Sequence, residues 1–228
     1  IVLLVGVDVD ALGRLIEFLK PKIYVESGNL RGESLKLARA ARAVAGIDPQ
    51  PQIVWAPVPH IRIFATTSDA FFANHDLRKE LGGRPVDLAF IDGLHQFEFA
   101  LRDFANLERN CKPESTILVH DCYPVDEISA DREPRSVSWS GDVWRLIVLL
   151  KKYRPDLLIH TIATGPTGLT IIKNLDPVST FLHDNLAKLY QEFLALDYAY
   201  LDQGKEEKLN LRPNNWPEIR ALLNSQSA

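Results

Sequence analysis

The sequence predicts an α/β fold: a mixed sheet, mostly parallel, with helices on both faces and an antiparallel hairpin closing one edge. Three observations predict it. Short apolar, β-type runs alternate with helical periods along most of the chain, as in strands joined by crossover helices. The first five runs are linked in this way, which calls for parallel strands covered on both sides. The last two runs lie close together with Gly165-Pro166-Thr167-Gly168 at the turn, which suits an antiparallel pair.

Taken in order, helical spacing over 10–20 (DALGRLIEFLK) precedes a strand over 23–27 (IYVES). A helix is expected over 33–43, then strands over 43–48 (AVAGID) and 61–67 (IRIFATT). Residues 69–81 carry a single helical period, with Asp69 in the first turn, where a carboxylate complements the dipole. A strand over 86–92 (VDLAFID) leads into a helix over 95–110 that puts Phe97, Leu101, Phe104 and Leu107 on one face. A strand over 116–121, a helix over 141–153 and strands over 157–163 and 168–174 complete seven strands. Residues 123–140 have no period, and an irregular connection of that length is more often functional than not. Residues 178–201 read as one long amphipathic helix. The expected organisation is a domain over 1–175 and a helical extension over 176–228. That extension would pack on the same domain or on a partner subunit, which would make the chain a homo-oligomer.

The composition narrows the function. A chain of 228 residues with 46% apolar content can bury one substantial core. A net charge of −4 offers no polyanion-binding surface, so no nucleic-acid partner is expected. Cys111 and Cys122 form no CxxC pair, which argues against a disulfide framework and points to a reducing, cytoplasmic setting. The run IVLLVGV is too short to cross a bilayer and no other run is long enough, so no membrane partner is expected.

In an open α/β sheet, ligands bind outside the carboxyl ends of the strands. Those ends carry Glu26-Ser27-Gly28-Asn29-Leu30-Arg31-Gly32, then Asp48, Ser68-Asp69, Asp92 and His120-Asp121. Gly28 lets the chain turn close to a ligand and Gly32 eases the helix start. No GxGxxG is present, and a Glu26 carboxylate would repel a diphosphate; both disfavour a nicotinamide-dinucleotide oxidoreductase. The same carboxylate suits an ammonium and a sulfonium. Asp48, twenty residues after Gly28, stands where an acid grips ribose hydroxyls. Asp69, beside Ser68, would accept from an adenine amino group. Singly, these acids read as a strand-end acid, a turn residue and a helix-start acid. Together they fit a ligand with an adenine, a ribose, an amino-acid end and no phosphate, which is S-adenosylmethionine.

The stretches YVESGNLRGESLKLA, VDLAFIDGLHQFEFALRDF, ILVHDC and WSGDVWRLI resemble the class I S-adenosylmethionine-dependent methyltransferases. They are most similar to a small-molecule branch whose fourth strand ends in aspartate-glycine-x-histidine. The resemblance implies a Rossmann-like seven-stranded sheet of order 3-2-1-4-5-7-6 with the last strand antiparallel. It also implies cofactor contacts at Glu26, Gly28, Asp48 and Asp69; the strand-end reading adds Gly32, Ser68 and Asp92 to the expected cofactor site. The activity implied is methyl transfer to a small-molecule acceptor, a hydroxyl of a sugar or natural product; a non-catalytic cofactor-binding or scaffold domain of the same fold is the alternative.

Methyl transfer to a hydroxyl requires the acceptor to be positioned and its proton removed. Asp92, His95, His120 and Asp121 fall at two neighbouring strand ends. In one reading His95 or His120 is the general base, oriented by the aspartates; a helix start would keep His95 neutral. In the other, Asp92, His120 and Asp121 hold a divalent metal ion that lowers the hydroxyl pKa. Imidazole is a poor ligand for magnesium and a better one for transition metals. The plainer reading makes Asp92 a strand end, His95 a helix-start residue and His120 a buried, hydrogen-bonded side chain. The connection over 123–140 is expected to fold over the acceptor, with Arg132, Arg135 and Trp139 as substrate contacts.

Overall fold

Along β1 (Ile23–Ser27), Ile23 and Val25 enter one hydrophobic core and Tyr24 enters another, because successive side chains leave a strand on opposite faces. The same alternation recurs in β2 (Ala43–Asp48), where Val44 and Ala45 face opposite ways. The sheet therefore separates two cores. The computed structural model describes residues 9–56 and 58–224; the run IVLLVGV lies outside the described residues.

Preceding β1 is α1 (Val9–Leu19), and α2 (Glu33–Leu37) joins β1 to β2. After β2 come β3 (Ile61–Ala65), α3 (Ser68–Asn74), α4 (Leu77–Glu80), β4 (Val86–Ile91), α5 (Phe97–Asn110) and β5 (Cys111–His120). Then follow α6 (Trp144–Tyr153), β6 (Leu158–Ile162), β7 (Leu169–Lys173), α7 (Phe181–Leu194), α8 (Tyr198–Asp202), α9 (Lys205–Lys208), β8 (Leu211–Arg212) and α10 (Trp216–Asn224). The strand order is β3-β2-β1-β4-β5-β7-β6-β8. The expected order holds, with an eighth strand added beyond β6. Strand β7 runs antiparallel to both β5 and β6, and β8 pairs parallel to β6.

One core lies between the sheet and α5, α6 and α7, which contribute Phe97, Leu101, Phe104, Trp144, Ile147 and Phe193. The other takes Leu12, Leu15 and Ile16 of α1, Leu35 of α2, and Ile219 and Leu223 of α10. Residues 176–224 thus add a strand to the sheet and a helix to its second core.

Four elements depart from the sequence reading. The period over 69–81 splits, because the Asp76 side chain accepts from Lys79 N and starts α4 after His75 has turned extended. The helix expected over 33–43 stops at Leu37, and the run over 178–201 breaks between α7 and α8, where Asp197 caps α8. The fifth strand begins at Cys111, five residues earlier than expected, with a register shift against β4 between Val86 and Leu88. No described helix is long and apolar enough to cross a membrane.

Candidate active site

The ends of β1, β2 and β4 are laced by main-chain contacts. Gly28 N donates to Ile47 O and Asp92 N to Ser27 O, each at 2.8 Å. Gly28 has φ +81, and a Cβ there would stand 2.1 Å from the Asp92 carbonyl oxygen. Only glycine lets the loop after β1 rest on the chain after β4. Asp48 secures that loop: its carboxylate accepts from Asn29 N at 3.0 Å, Leu30 N at 2.8 Å and Gln50 N at 2.7 Å. Gly32 lies against Ile53 and Trp55, whose Nε1 donates to its carbonyl at 2.9 Å.

Glu26 is fully buried on the α2 side of β1, where Ser34 Oγ donates to it at 2.5 Å and Tyr24 OH at 2.9 Å. Burial pushes its carboxyl up to about 8; Asp92 and Asp48 add repulsion, while Ser34 and Tyr24 oppose it. At neutral pH Glu26 is therefore mainly a neutral acid, not the carboxylate that the sequence reading placed beside the ligand. Asp69 also differs from expectation. Both its oxygens are held at 2.7 Å by Arg102 of α5, which also donates to Tyr190 OH at 2.9 Å. At this corner the sequence reading missed a buried acid, Asp103, which accepts from Ser27 Oγ at 2.6 Å. Burial pushes Asp103 up to about 6, with Ser27 and Ser68 pulling the other way.

The ends of β4 and β5 bring Asp92, His95, His120 and Asp121 together. His120 Nδ1 lies 2.9 Å from Asp92 Oδ1 and 3.0 Å from Asp121 Oδ2. His95 Nε2 lies 2.9 Å from the same Asp121 oxygen and 3.9 Å from Asp92 Oδ1. Thr167, in the turn before β7, donates to Asp121 Oδ1 at 2.6 Å. The side chains of His120 and Asp121 are 3% and 4% exposed, while His95 is 13% and Asp92 21% exposed. Asp92 and His95 thus form the open side of the cluster and the other two its floor.

Burial works against charge on both rings, but Asp121 and Asp92 outweigh it, so His95 is raised above its ordinary range and His120 well above. Asp121 is held far below the usual carboxylate range: burial opposes its charge, and His120 and His95 overcome it. This upward pull runs against the expectation that a helix start keeps His95 neutral. Helix α5 begins at Phe97, and the ring lies against an anion. The metal-ligand expectation changes too. One donor atom each of Asp92, His95 and Asp121 lies within 4.8 Å of the others. His120 instead spends Nδ1–H on Asp92, and its buried Nε2 has no partner. Asp121 Oδ2 is buried and makes no well-directed hydrogen bond, although two ring nitrogens flank it. Two carboxylates and an imidazole around such an oxygen fit a small divalent cation.

The connection after β5 was expected to offer substrate contacts, but its named side chains are engaged by the protein. Arg132 forms a two-pronged pair with Glu98 at 2.9 Å, and Arg135 pairs with Asp131 and Glu133 at 3.1 Å. Trp139 stacks on His95 with ring centroids 4.8 Å apart. Tyr24 shares a strand face with Glu26, which period two reveals; Thr167, Ser34 and Asp103 carry no such signal.

Residues 25–122 match the model of a protein family described as a methyltransferase domain, in line with the resemblance read from the sequence. No curated protein matches the chain. Among solved structures, the O-methyltransferase TomG of Streptomyces achromogenes, involved in tomaymycin synthesis and bound to S-adenosylmethionine, is 17% identical. It has a TM-score of 0.57 over 76% of this chain and 82% of its own. An O-methyltransferase from Bacillus cereus with S-adenosylhomocysteine is 15% identical, with a TM-score of 0.51 over 73% and 81%. The N-methyltransferase NodS of Bradyrhizobium japonicum is 14% identical, with a TM-score of 0.50 over 74% and 94%. The shared fold hosts both O- and N-transfer, so the acceptor atom must be argued from the site.

Proposed function

We propose that the chain transfers the methyl group of S-adenosylmethionine to a hydroxyl of a small molecule. The observation that carries the cofactor is the crowding of acids at the strand ends. Asp92 and Asp48 both act on Glu26 through repulsion. A ligand bearing a sulfonium and an ammonium would offset that push and draw Glu26 back towards its carboxylate; a diphosphate would hold it further towards the neutral acid. Asp48 and Gly28 hold the loop on which such a ligand would rest, Gly32 belongs to the same loop, and Ser68 and Asp69 start the helix after the neighbouring β3.

S-adenosylmethionine supplies a methyl group already activated by its sulfonium. The remaining work is to orient the acceptor and take its proton. Asp92 Oδ1, on the open side, is placed to accept that proton, with His95 beside it. His120 and Asp121 fix this pair from below. A second reading has the support of Asp121 Oδ2: Asp92, His95 and Asp121 would hold a divalent cation, which lowers the pKa of an acceptor hydroxyl when bound. Nitrogen in the donor set favours a transition metal over magnesium.

Calorimetry with S-adenosylhomocysteine tests the proposal. The wild type should bind, and Asp48→Ala should bind at least tenfold more weakly, about 1.4 kcal/mol. Binding of NADH in place of S-adenosylhomocysteine would overturn the cofactor assignment. Turnover that survives EDTA but not Asp92→Asn would retire the cation and keep the acid.

A further inference from the structure

We infer that residues 129–142 form a fixed clamp on His95 that presents its Nε2 to the carboxylate pair, making Trp139 and Gly141 positioning residues. The inference deepens the reading of the same site. Four contacts converge on this histidine. Its Nδ1 lies 3.1 Å from Trp139 O, and since a carbonyl can only accept, that nitrogen must carry a proton whether or not Nε2 carries another. The Trp139 indole covers the ring at an interplanar angle of 28°. Asp142 N donates to His95 O at 3.2 Å. Gly141, at φ +59, comes so close that a Cβ would stand 1.7 Å from His95 O.

The clamp is itself held. Ser140 N and Gly141 N both donate to Ser129 O, at 2.9 and 3.0 Å, and Ser140 Oγ does so at 3.0 Å. Trp139 Nε1 donates to Asp131 O at 2.6 Å. Buried Asp142 accepts from Phe97 N at 2.7 Å and from Arg132 at 2.5 Å, tying the clamp to the start of α5. A histidine whose outer nitrogen is spent on a carbonyl has its ring orientation and its inward nitrogen fixed. A loop made to open and close over an acceptor would not need its anchors on the catalytic ring.

The test uses the full chain with ¹⁵N-labelled histidine. The His95 Nδ1–H proton, assigned by its proximity to the Trp139 indole, should appear at neutral pH and exchange slowly with water. Gly141→Ala should remove that protection, and Trp139→Leu, which keeps the carbonyl, should reduce it while the other histidine signals stay in place. A second arm titrates Mn²⁺ and S-adenosylhomocysteine separately. Gly141→Ala should weaken Mn²⁺ binding about tenfold, in line with the loss of an outer-shell partner, and leave S-adenosylhomocysteine affinity unchanged. An unprotected Nδ1 in the wild type, or protection that survives Gly141→Ala, overturns the clamp. So does an equal loss of both ligands, which would mark Gly141 as merely structural. If wild type binds no Mn²⁺, the cation reading fails and the exchange measurement decides the clamp. If it binds no S-adenosylhomocysteine, the methyltransferase reading fails and the same measurement decides.

Discussion

Replacing Glu26 with glutamine should make the protein more stable at pH 7 and above, and should flatten its response to pH. The ordinary value for this carboxyl is 4.5, and in the fold it is pushed up to about 8. Between those values the unfolded chain has released the proton while the folded chain keeps it. Stability from this group is therefore fully present below pH 4.5 and is lost as pH rises towards 8. Each pH unit in that window costs about 1.4 kcal/mol, so by pH 7 the loss is roughly 3 kcal/mol. Glu26 is fully buried, so solvent screening does not reduce this figure. Glutamine is neutral throughout and can still hydrogen-bond to Ser34 and Tyr24. Urea denaturation of both proteins at pH 5, 6, 7 and 8 would show the variant gaining on the wild type as pH rises. A pH-independent gap would refute the reasoning, and a wild type that gains relative to the variant would show Glu26 to be ionised in the fold.

Arg154→Met should cost about 3–5 kcal/mol and lower Tm by roughly 10 °C, because it strands Glu108, whose side chain is 3% exposed. Scanning calorimetry should show the double variant with Glu108→Gln recovering most of that loss; no recovery would mean the pair was not the cause. Gly28→Ala should cost at least about 2 kcal/mol from its positive φ and from displacing the Asp92 main chain, and should also weaken S-adenosylhomocysteine binding. Normal binding in that variant would separate the loop from the cofactor site. Asp121→Asn should weaken Mn²⁺ binding at least tenfold by calorimetry, and unchanged affinity would remove Asp121 from the donor set.

Strands β1 and β2 were legible to the residue because both are apolar runs buried on both faces, with few alternatives for such a chain. The first half of β5 was not, because Lys112, Pro113 and Glu114 read as a turn and only pairing with β4 extends the strand there. Two-residue β8 has no local pattern at all; its existence depends on β6. The site divides along the same line. That Asp92, His95, His120 and Asp121 gather follows from the rule that strand ends line the crevice. Which atoms meet does not, since His95 and Asp121 are brought together only by the sheet. Charge state was the least legible. Glu26, His95 and Asp103 are shifted by burial and by neighbours distant in sequence, so the acid expected to be ionised is pushed towards its neutral form and the imidazole expected to be neutral is pulled towards its cation.

The short strand β8 has a consequence for assembly. An unpaired outer strand is a template on which another chain can extend a sheet, and β6 would be such a template without Leu211 and Arg212. Main-chain bonds from Thr161 N to Asn210 O and from Ala163 N to Arg212 O occupy its donors there. With only two residues, β8 itself gives an incoming strand too little to grip. The protein covers Thr161 and Ile162 on this edge with its own chain, which closes that part of the edge to a strand from another copy.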